Sequence, residues 1–258
     1  VEDRRIKCHK VVGHGAETFK QGIMNSCNPV FMDIGARVGA ADFYKNMEKL
    51  GLFEKTGIDL PGEANSIFHK LENVGPVELA TMSFGQSFQI TPFQLMRAVS
   101  AVINGGTLVT PHLGMYVTDE NDHIIETLEY EAEENVIDKE TSETMKTLLE
   151  AVVAEGTGHK AYVEGFRIGG KTATSEKFPR SSNKYISSFI GFAPADNPQV
   201  LTLILIDEPE GVYYGGTIAA PVVGEIYNNI LPYLGIEKED TEVKEDSVET
   251  VYFEDTVY

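Results

Sequence analysis

A chain of 258 residues with 42% hydrophobic and 24% charged residues is long enough for a sizeable buried core and ordinary for a globular protein. Its net charge of −19 argues against bare nucleic acid or an anionic membrane surface as partner. Cys8 and Cys27 make neither a disulfide framework nor a metal-ligand spacing with the six scattered histidines, so no metal is expected and the redox compartment stays open.

In chain order, Gly13-His14-Gly15 reads as a turn that launches a helix over 16–25, with His14 as a turn residue. Ser26-Cys27-Asn28-Pro29 interrupts it, and helical patterns follow over 30–38 and 40–50, the latter closed by Gly51. Asp59-Leu60-Pro61-Gly62-Glu63 is turn chemistry, and 64–75 reads as irregular. Thr91-Pro92 opens a helix whose Leu95, Ala98, Val99 and Val102 share one face, and Asn104-Gly105-Gly106 ends it. Short alternating runs over 107–109, 113–118 and 124–128 suggest a hairpin or small sheet. Asp138 caps a further helix that ends at Gly156-Thr157-Gly158.

Three strands are predicted over 166–174, 186–192 and 200–206. Their connections are too short for crossovers, so they should pair antiparallel. A last helix runs from Thr217 to about Leu231, and the strongly acidic stretch 237–258 reads as a solvated linker or tail. No apolar run is long enough to span a membrane. The chain opens at Val1 without methionine and reads as a piece of a longer protein.

The stretch Gly169-Gly170-Lys171-Thr172-Ala173-Thr174 supports two chemistries. Gly165 to Thr172 matches G-x-x-x-x-G-K-[ST], a phosphate-binding loop, and 201–208 imitates the acid-tipped strand that would accompany it. That loop needs a strand before its first glycine and a helix starting at the Lys-Thr. Neither is predicted, because Gly165 follows the trailing end of a helix and Pro179 lies close after Thr172. In the second reading the stretch is an active-site strand. Asp207, Glu208 and Glu210 are then expected to be solvated loop charges, Cys27 a packing residue, and Tyr213-Tyr214 either a cleft rim or a strand-edge cover.

Serine acyl-transfer enzymes that react with penicillin carry S-x-x-K, then S-x-N, then K-[ST]-G. Ser26-Cys27-Asn28 and Lys171-Thr172-Ala173 stand in the order of the last two. With them come Thr56-Gly57-Ile58-Asp59-Leu60-Pro61-Gly62-Glu63, Ser83-Phe84-Gly85-Gln86, Thr91-Pro92-Phe93-Gln94-Leu95 and Gly156-Thr157-Gly158. Ser188 to Pro194 and Tyr214-Gly215-Gly216 with Ala219-Ala220-Pro221 complete the series. Over residues 6–236 the chain resembles the transpeptidase domain of class B penicillin-binding proteins, nearer the sporulation-specific branch than the cell-division one.

The resemblance implies an α/β (α+β) β-lactamase/transpeptidase-like fold, an antiparallel sheet flanked by helices. It implies a peptidoglycan D,D-transpeptidase without cofactor, with stem peptides as substrate and β-lactams as mimics. A polytopic glycan polymerase would be its partner, and the domain would be extracytoplasmic and anchored by a single membrane span. By position, Ser26 and Lys171 are catalytic, and Asn28, Thr172, Ala173 and Thr174 bind substrate. Lys171 supplies positive charge beside Ser26 and favours proton transfer to the leaving amine. Thr172 and Thr174 hydroxyls suit a terminal carboxylate, and the Thr174 N–H forms half of an oxyanion hole.

Two departures stand out. Ala173 replaces the usual glycine, and the only S-x-x-K, Ser181-Ser182-Asn183-Lys184, follows Lys171 instead of preceding Ser26. The nucleophilic serine is therefore expected upstream of Val1, and the chain alone should be inactive, with exposed apolar surface. A non-catalytic peptidoglycan-binding scaffold is the alternative.

Overall fold

The computed structural model describes residues 1–239; the predicted acidic tail beyond them lies outside the described residues. Residues 1–18 form no regular element. Helix α1 is short, Phe19–Met24, and begins at Thr18, whose hydroxyl accepts from Gln21 N while the Gln21 side chain accepts from Thr18 N. This capping box overrides the turn at Gly13-His14-Gly15 as the helix start, so the helix is shorter than the pattern suggested.

Helix α2 (Asn28–Val38) carries Pro29 in its first turn, and α3 (Ala40–Lys49) follows after Gly39. Helix α4 (Pro76–Ser83) went unpredicted. Its signals were Pro76 at the first position and Glu78, whose carboxylate accepts from Gly75 N at 3.1 Å. Helix α5 (Pro92–Ile103) starts as expected at Thr91 with Gln94 closing the box. Gln94 is fully buried and donates to Glu54 O at 2.6 Å, which explains the Thr-Pro-Phe-Gln run as a tether between helix and loop.

Strand β1 (Leu108–Val109) pairs with β4 (Ala132–Glu133), and β2 (Tyr116–Thr118) with β3 (Ile124–Thr127), all antiparallel. The β2–β3 hairpin is exposed along its length. Its base is held by Asp59, whose carboxylate accepts from Leu113 N and from Gly114 N at 2.7 Å. Those backbone N–H groups hold Asp59 below the usual carboxylate range. Glu63 closes the same turn by accepting from Thr56 N at 2.8 Å and Thr56 Oγ1 at 2.7 Å.

Helix α6 (Lys139–Ala154) begins at the predicted cap Asp138, which accepts from Thr141 N at 2.7 Å. The main sheet then forms from β5 (Gly169–Glu176), β6 (Tyr185–Ala193) and β7 (Val200–Asp207), in that spatial order and antiparallel throughout. The chain closes with α7 (Gly215–Ile218) and α8 (Ala220–Tyr233).

Helices cover both faces of the sheet. On one, Phe189, Ala193, Ile204 and Ile206 pack with Val223, Tyr227 and Leu231 of α8, and Tyr227 OH donates to Gly191 O at 2.6 Å. On the other, Phe192 and Leu201 pack with Val99, Val102 and Ile103 of α5 and Met145 and Leu149 of α6. Alternation along each strand divides these sets, since successive side chains leave opposite faces. This is the expected fold class. β5 is left at the sheet edge, and its own edge carries Lys171 toward the α1–α2 junction.

Candidate active site

Two chain segments 145 residues apart meet at one hydrogen bond: Lys171 Nζ donates to Ser26 Oγ at 2.7 Å. Ser26 sits between α1 and α2 with φ of 51°, in the left-handed region that non-glycine residues rarely adopt. The conformation is held by neighbours on both sides. Ser26 N donates to Ile23 O and Cys27 N to Gly22 O, while Asn28 already belongs to α2. Such a placement costs about 1–3 kcal/mol and is typical of functional positions.

Lys171 is part-buried. Its ammonium also donates to Thr172 O at 3.2 Å and lies 6.0 Å from the centre of the Phe31 ring, at the limit of a cation–π contact. Burial away from water pushes Lys171 down to about 8, with no carboxylate among the described residues offsetting the desolvation of its charge. A nearly neutral pKa on a lysine pointed at a hydroxyl is a proton-transfer arrangement.

Thr172 Oγ1 lies 3.1 Å from Thr157 Oγ1, and Thr157 in turn donates to Met24 O at 3.1 Å. A hydroxyl has one proton. With Thr157's committed to Met24, Thr172 is the donor of the pair. Gly156-Thr157-Gly158 thus ties the end of α1 to β5, a role its sequence did not announce. Thr174 Oγ1 accepts from Gly215 N at 3.1 Å, which leaves its own proton available for donation among the described residues. The α7 start sits so close to β5 and β6 that a Cβ on Gly215 would run into Ala173 O and Ser188 O. Ala173 is exposed on the edge strand. Asn28 stands at the site but turns its Nδ2 to Lys7 O at 3.1 Å.

The structure agrees with two sequence readings, on the phosphate loop and on the out-of-place S-x-x-K, and corrects others. Lys171 and Thr172 lie within strand β5, with no helix beginning there, so Gly165–Thr172 is not a phosphate loop. Lys184 of the misplaced S-x-x-K donates to Glu208 at 2.6 Å and does not meet Ser181 as a catalytic pair. Glu208 and Asp207 are not free loop charges, since Lys177 reaches both, at 2.8 and 2.9 Å. Tyr213 stacks on Tyr185 at the end of β6, ring centres 4.0 Å apart, as a strand cover, while Tyr214 is half exposed.

His14 is no simple turn residue. Its side chain is 7% exposed and faces Cys8 at 3.6 Å and Glu17 at 3.8 Å. Cys8, His14 and Cys27 converge although their spacing matched no metal motif, because the loop before α1 folds back over the α1–α2 junction. Cys27 is a buried packing residue, as expected, but burial and the Glu17 carboxylate push its thiol up to about 12. Burial opposes ionisation of Glu17, and hydrogen bonds from Cys27 and Asn25 outweigh it and hold its carboxyl below the usual range.

The family described as "Penicillin binding protein transpeptidase domain" matches residues 1–228. The chain is 43% identical over 249 residues to Stage V sporulation protein D of Bacillus subtilis, covering 95% of this chain and 38% of that protein. It is 30% identical over 241 residues to peptidoglycan D,D-transpeptidase FtsI of Escherichia coli, covering 90% of this chain and 39% of that one. Among solved structures it is similar to penicillin binding protein 3 of Mycobacterium tuberculosis in complex with ampicillin, with TM-score 0.79 and 25% identity over 88% of this chain and 53% of that one. The transpeptidase domain of Burkholderia pseudomallei penicillin-binding protein 3 gives TM-score 0.75 at 28% identity, over 88% of this chain and 68% of that one. The chain thus spans 38% of the sporulation relative's length. With its fold and its matched residues in agreement, the chain belongs to the penicillin-binding protein transpeptidase family.

Proposed function

We propose that this chain carries the S-x-N and K-T-A parts of a peptidoglycan D,D-transpeptidase site, which cross-links stem peptides by acyl transfer. The observation that carries the reading is the 2.7 Å bond between Lys171 and Ser26, joining the two motifs that the chemistry requires. In this reading a serine attacks the penultimate D-Ala carbonyl, D-Ala leaves, and a neighbouring stem-peptide amine takes the acyl group. Lys171 delivers a proton through Ser26 to the leaving amine. Thr174 donates its hydroxyl proton to the terminal carboxylate, Thr172 joins it by turning its own proton from Thr157 to the substrate, and the Thr174 N–H forms half of the oxyanion hole. The β5 edge accepts the extended substrate as an added strand, a mode that favours a small side chain at Ala173. Asn28 exchanges its bond to Lys7 O for the substrate amide.

The attacking serine is supplied by a segment outside these 258 residues, because the one S-x-x-K match is committed to Glu208. The domain works extracytoplasmically, tethered by a membrane span elsewhere in the protein and paired with a polytopic glycan polymerase. Among the described residues, no helix is long and apolar enough to cross a membrane. The greater identity to the sporulation relative supports a role in spore-wall synthesis over division.

Fluorescent penicillin tests the reading. The chain by itself should stay unlabelled, and the protein extended through its S-x-x-K segment should be labelled. A folded extended protein that takes no label would sink the transpeptidase reading and leave a peptidoglycan-binding scaffold. Replacing Ser26 with Ala should slow labelling of the extended protein by roughly 10²-fold, the low end for one positioned proton-transfer group.

The pH dependence follows from the Lys171 value. The ammonium form dominates below about 8 and is lost above it. Because the charged form is the donor, the acylation rate should fall as pH rises through about 8, and the Lys171→Arg variant, charged throughout, should lack that limb. A profile that instead rises through pH 8 would overturn the proton-donor role of Lys171.

A further inference from the structure

Outside the Lys171–Ser26 pair, one cluster of chemistry-bearing side chains remains without a role. We propose that Cys8, His14 and Cys27, with Glu17 completing the set, bind one divalent zinc ion directly behind Ser26.

The geometry is close to what such an ion needs. The ligating atoms of Cys8, His14 and Cys27 all lie within 4.8 Å of one another. A tetrahedral site with Zn–S of about 2.3 Å and Zn–N of about 2.0 Å has ligand-to-ligand edges of roughly 3.5–3.8 Å. The Cys8 Sγ to His14 Nδ1 edge is already 3.6 Å, and the His14 Nδ1 to Glu17 Oε2 edge is 3.8 Å. The Cys8–Cys27 and His14–Cys27 edges are no longer than 4.8 Å and close with about 1 Å of side-chain movement. Two thiolates, an imidazole and a carboxylate suit a borderline-soft d¹⁰ ion far better than magnesium or calcium, which prefer all-oxygen shells.

The surroundings are those of a closed, structural site. The side chains of His14 and Glu17 are 7% and 5% exposed, and Cys27 is buried. Asn25 donates to Glu17 Oε1 at 2.6 Å, which leaves Oε2 turned toward His14 and orients the carboxylate from behind. On binding, each of the two cysteines forms a bond to the metal and gives up its thiol proton to solvent; nothing is oxidised or reduced.

Placement gives the ion a purpose. Residues 1–18 contain no helix or strand, and the polar contact by which they reach Asn28 is a single bond to Lys7 O. An ion shared by Cys8, His14 and Cys27 staples that loop to the α1–α2 junction. Because Cys27 is the middle residue of Ser26-Cys27-Asn28, the staple also holds Ser26 in its left-handed conformation beside Lys171. The ion positions the serine and takes no part in the reaction.

The test reads metal uptake, so its failure is separable from failure of the transpeptidase reading. Reduced protein is freed of metal with chelator, checked for two titratable thiols, and titrated with cobalt(II). Expected is one tight equivalent, with thiolate-to-cobalt charge-transfer and tetrahedral d–d bands, displaced by zinc. Cys8→Ser and His14→Ala should each weaken zinc binding at least tenfold while leaving the circular dichroism unchanged. Cys8, which is only part-buried, serves as the safe variant should Cys27→Ser not fold. Folded protein with both thiols free that gives no cobalt bands overturns the proposal. So does cobalt binding that survives Cys8→Ser and His14→Ala together.

Discussion

The Lys171→Ala variant of the extended protein should lose penicillin acylation by roughly 10²- to 10⁴-fold, the usual range for a positioned acid–base group. The loss should appear with the folded state intact. Lys171 carries a desolvated ammonium whose pKa has fallen to about 8, so its charge is stabilised less in the fold than in water. Removing it relieves that cost and forfeits the bond to Ser26 Oγ, the bond to Thr172 O and the contact over Phe31. These terms oppose one another, and the net change in melting temperature should be small. A structural lysine would show the reverse pattern: a large drop in melting temperature with labelling that recovers once the protein is refolded. Labelling kinetics and thermal unfolding on the same sample decide between the two.

Phe189→Ala should cost about 3–5 kcal/mol, the range for deleting a buried aromatic ring. That is a large share of the ~5–15 kcal/mol by which domains are stable. Phe189 is fully buried on the α8 face of β6, and its register partner on β5 is Thr172. Its ring is the floor under β5. A Cβ at Gly170 would meet Phe189 Cζ at 2.5 Å, and one at Gly158 would meet Cε2 at 3.1 Å. Truncating the ring therefore opens a cavity beneath β5 and beneath the Gly156-Thr157-Gly158 turn together. Chemical denaturation should show the midpoint falling at unchanged slope, and penicillin labelling should weaken below the midpoint too, as Lys171 loses its alignment. A cost under about 1 kcal/mol, well short of the cavity range, would mean the site can collapse around the missing ring and that β5 is supported from elsewhere.

How much of this was legible differs from element to element. Thr91-Pro92 and Asp138 announce their helices because a cap is satisfied by backbone N–H groups three residues away. The capping box at Thr18 and Gln21 was equally legible, but the glycines at 13 and 15 drew the predicted start of α1 toward themselves. Helix α4 was missed because it is short and its marks, Pro76 and Glu78, follow a stretch without periodicity. The main sheet was predicted as three antiparallel strands, and the structure moves their ends by a few residues.

The site divides in the same way. Motif order and family resemblance named Ser26, Asn28, Lys171, Thr172, Ala173 and Thr174, and the fold brings Ser26 to Lys171. Nothing local could reveal that Thr157 bridges Met24 and Thr172, or that His14 turns inward to Cys8, Glu17 and Cys27. By itself the sequence determined what acts over a few residues: helix caps, turns, strand alternation, and which residue types could do acyl-transfer chemistry. The tertiary structure alone decided which distant groups touch and what burial does to their protons. The physical reason is that those contacts exist only after long loops have closed around a packed core, and the shift of Lys171 arises from water that the finished fold excludes.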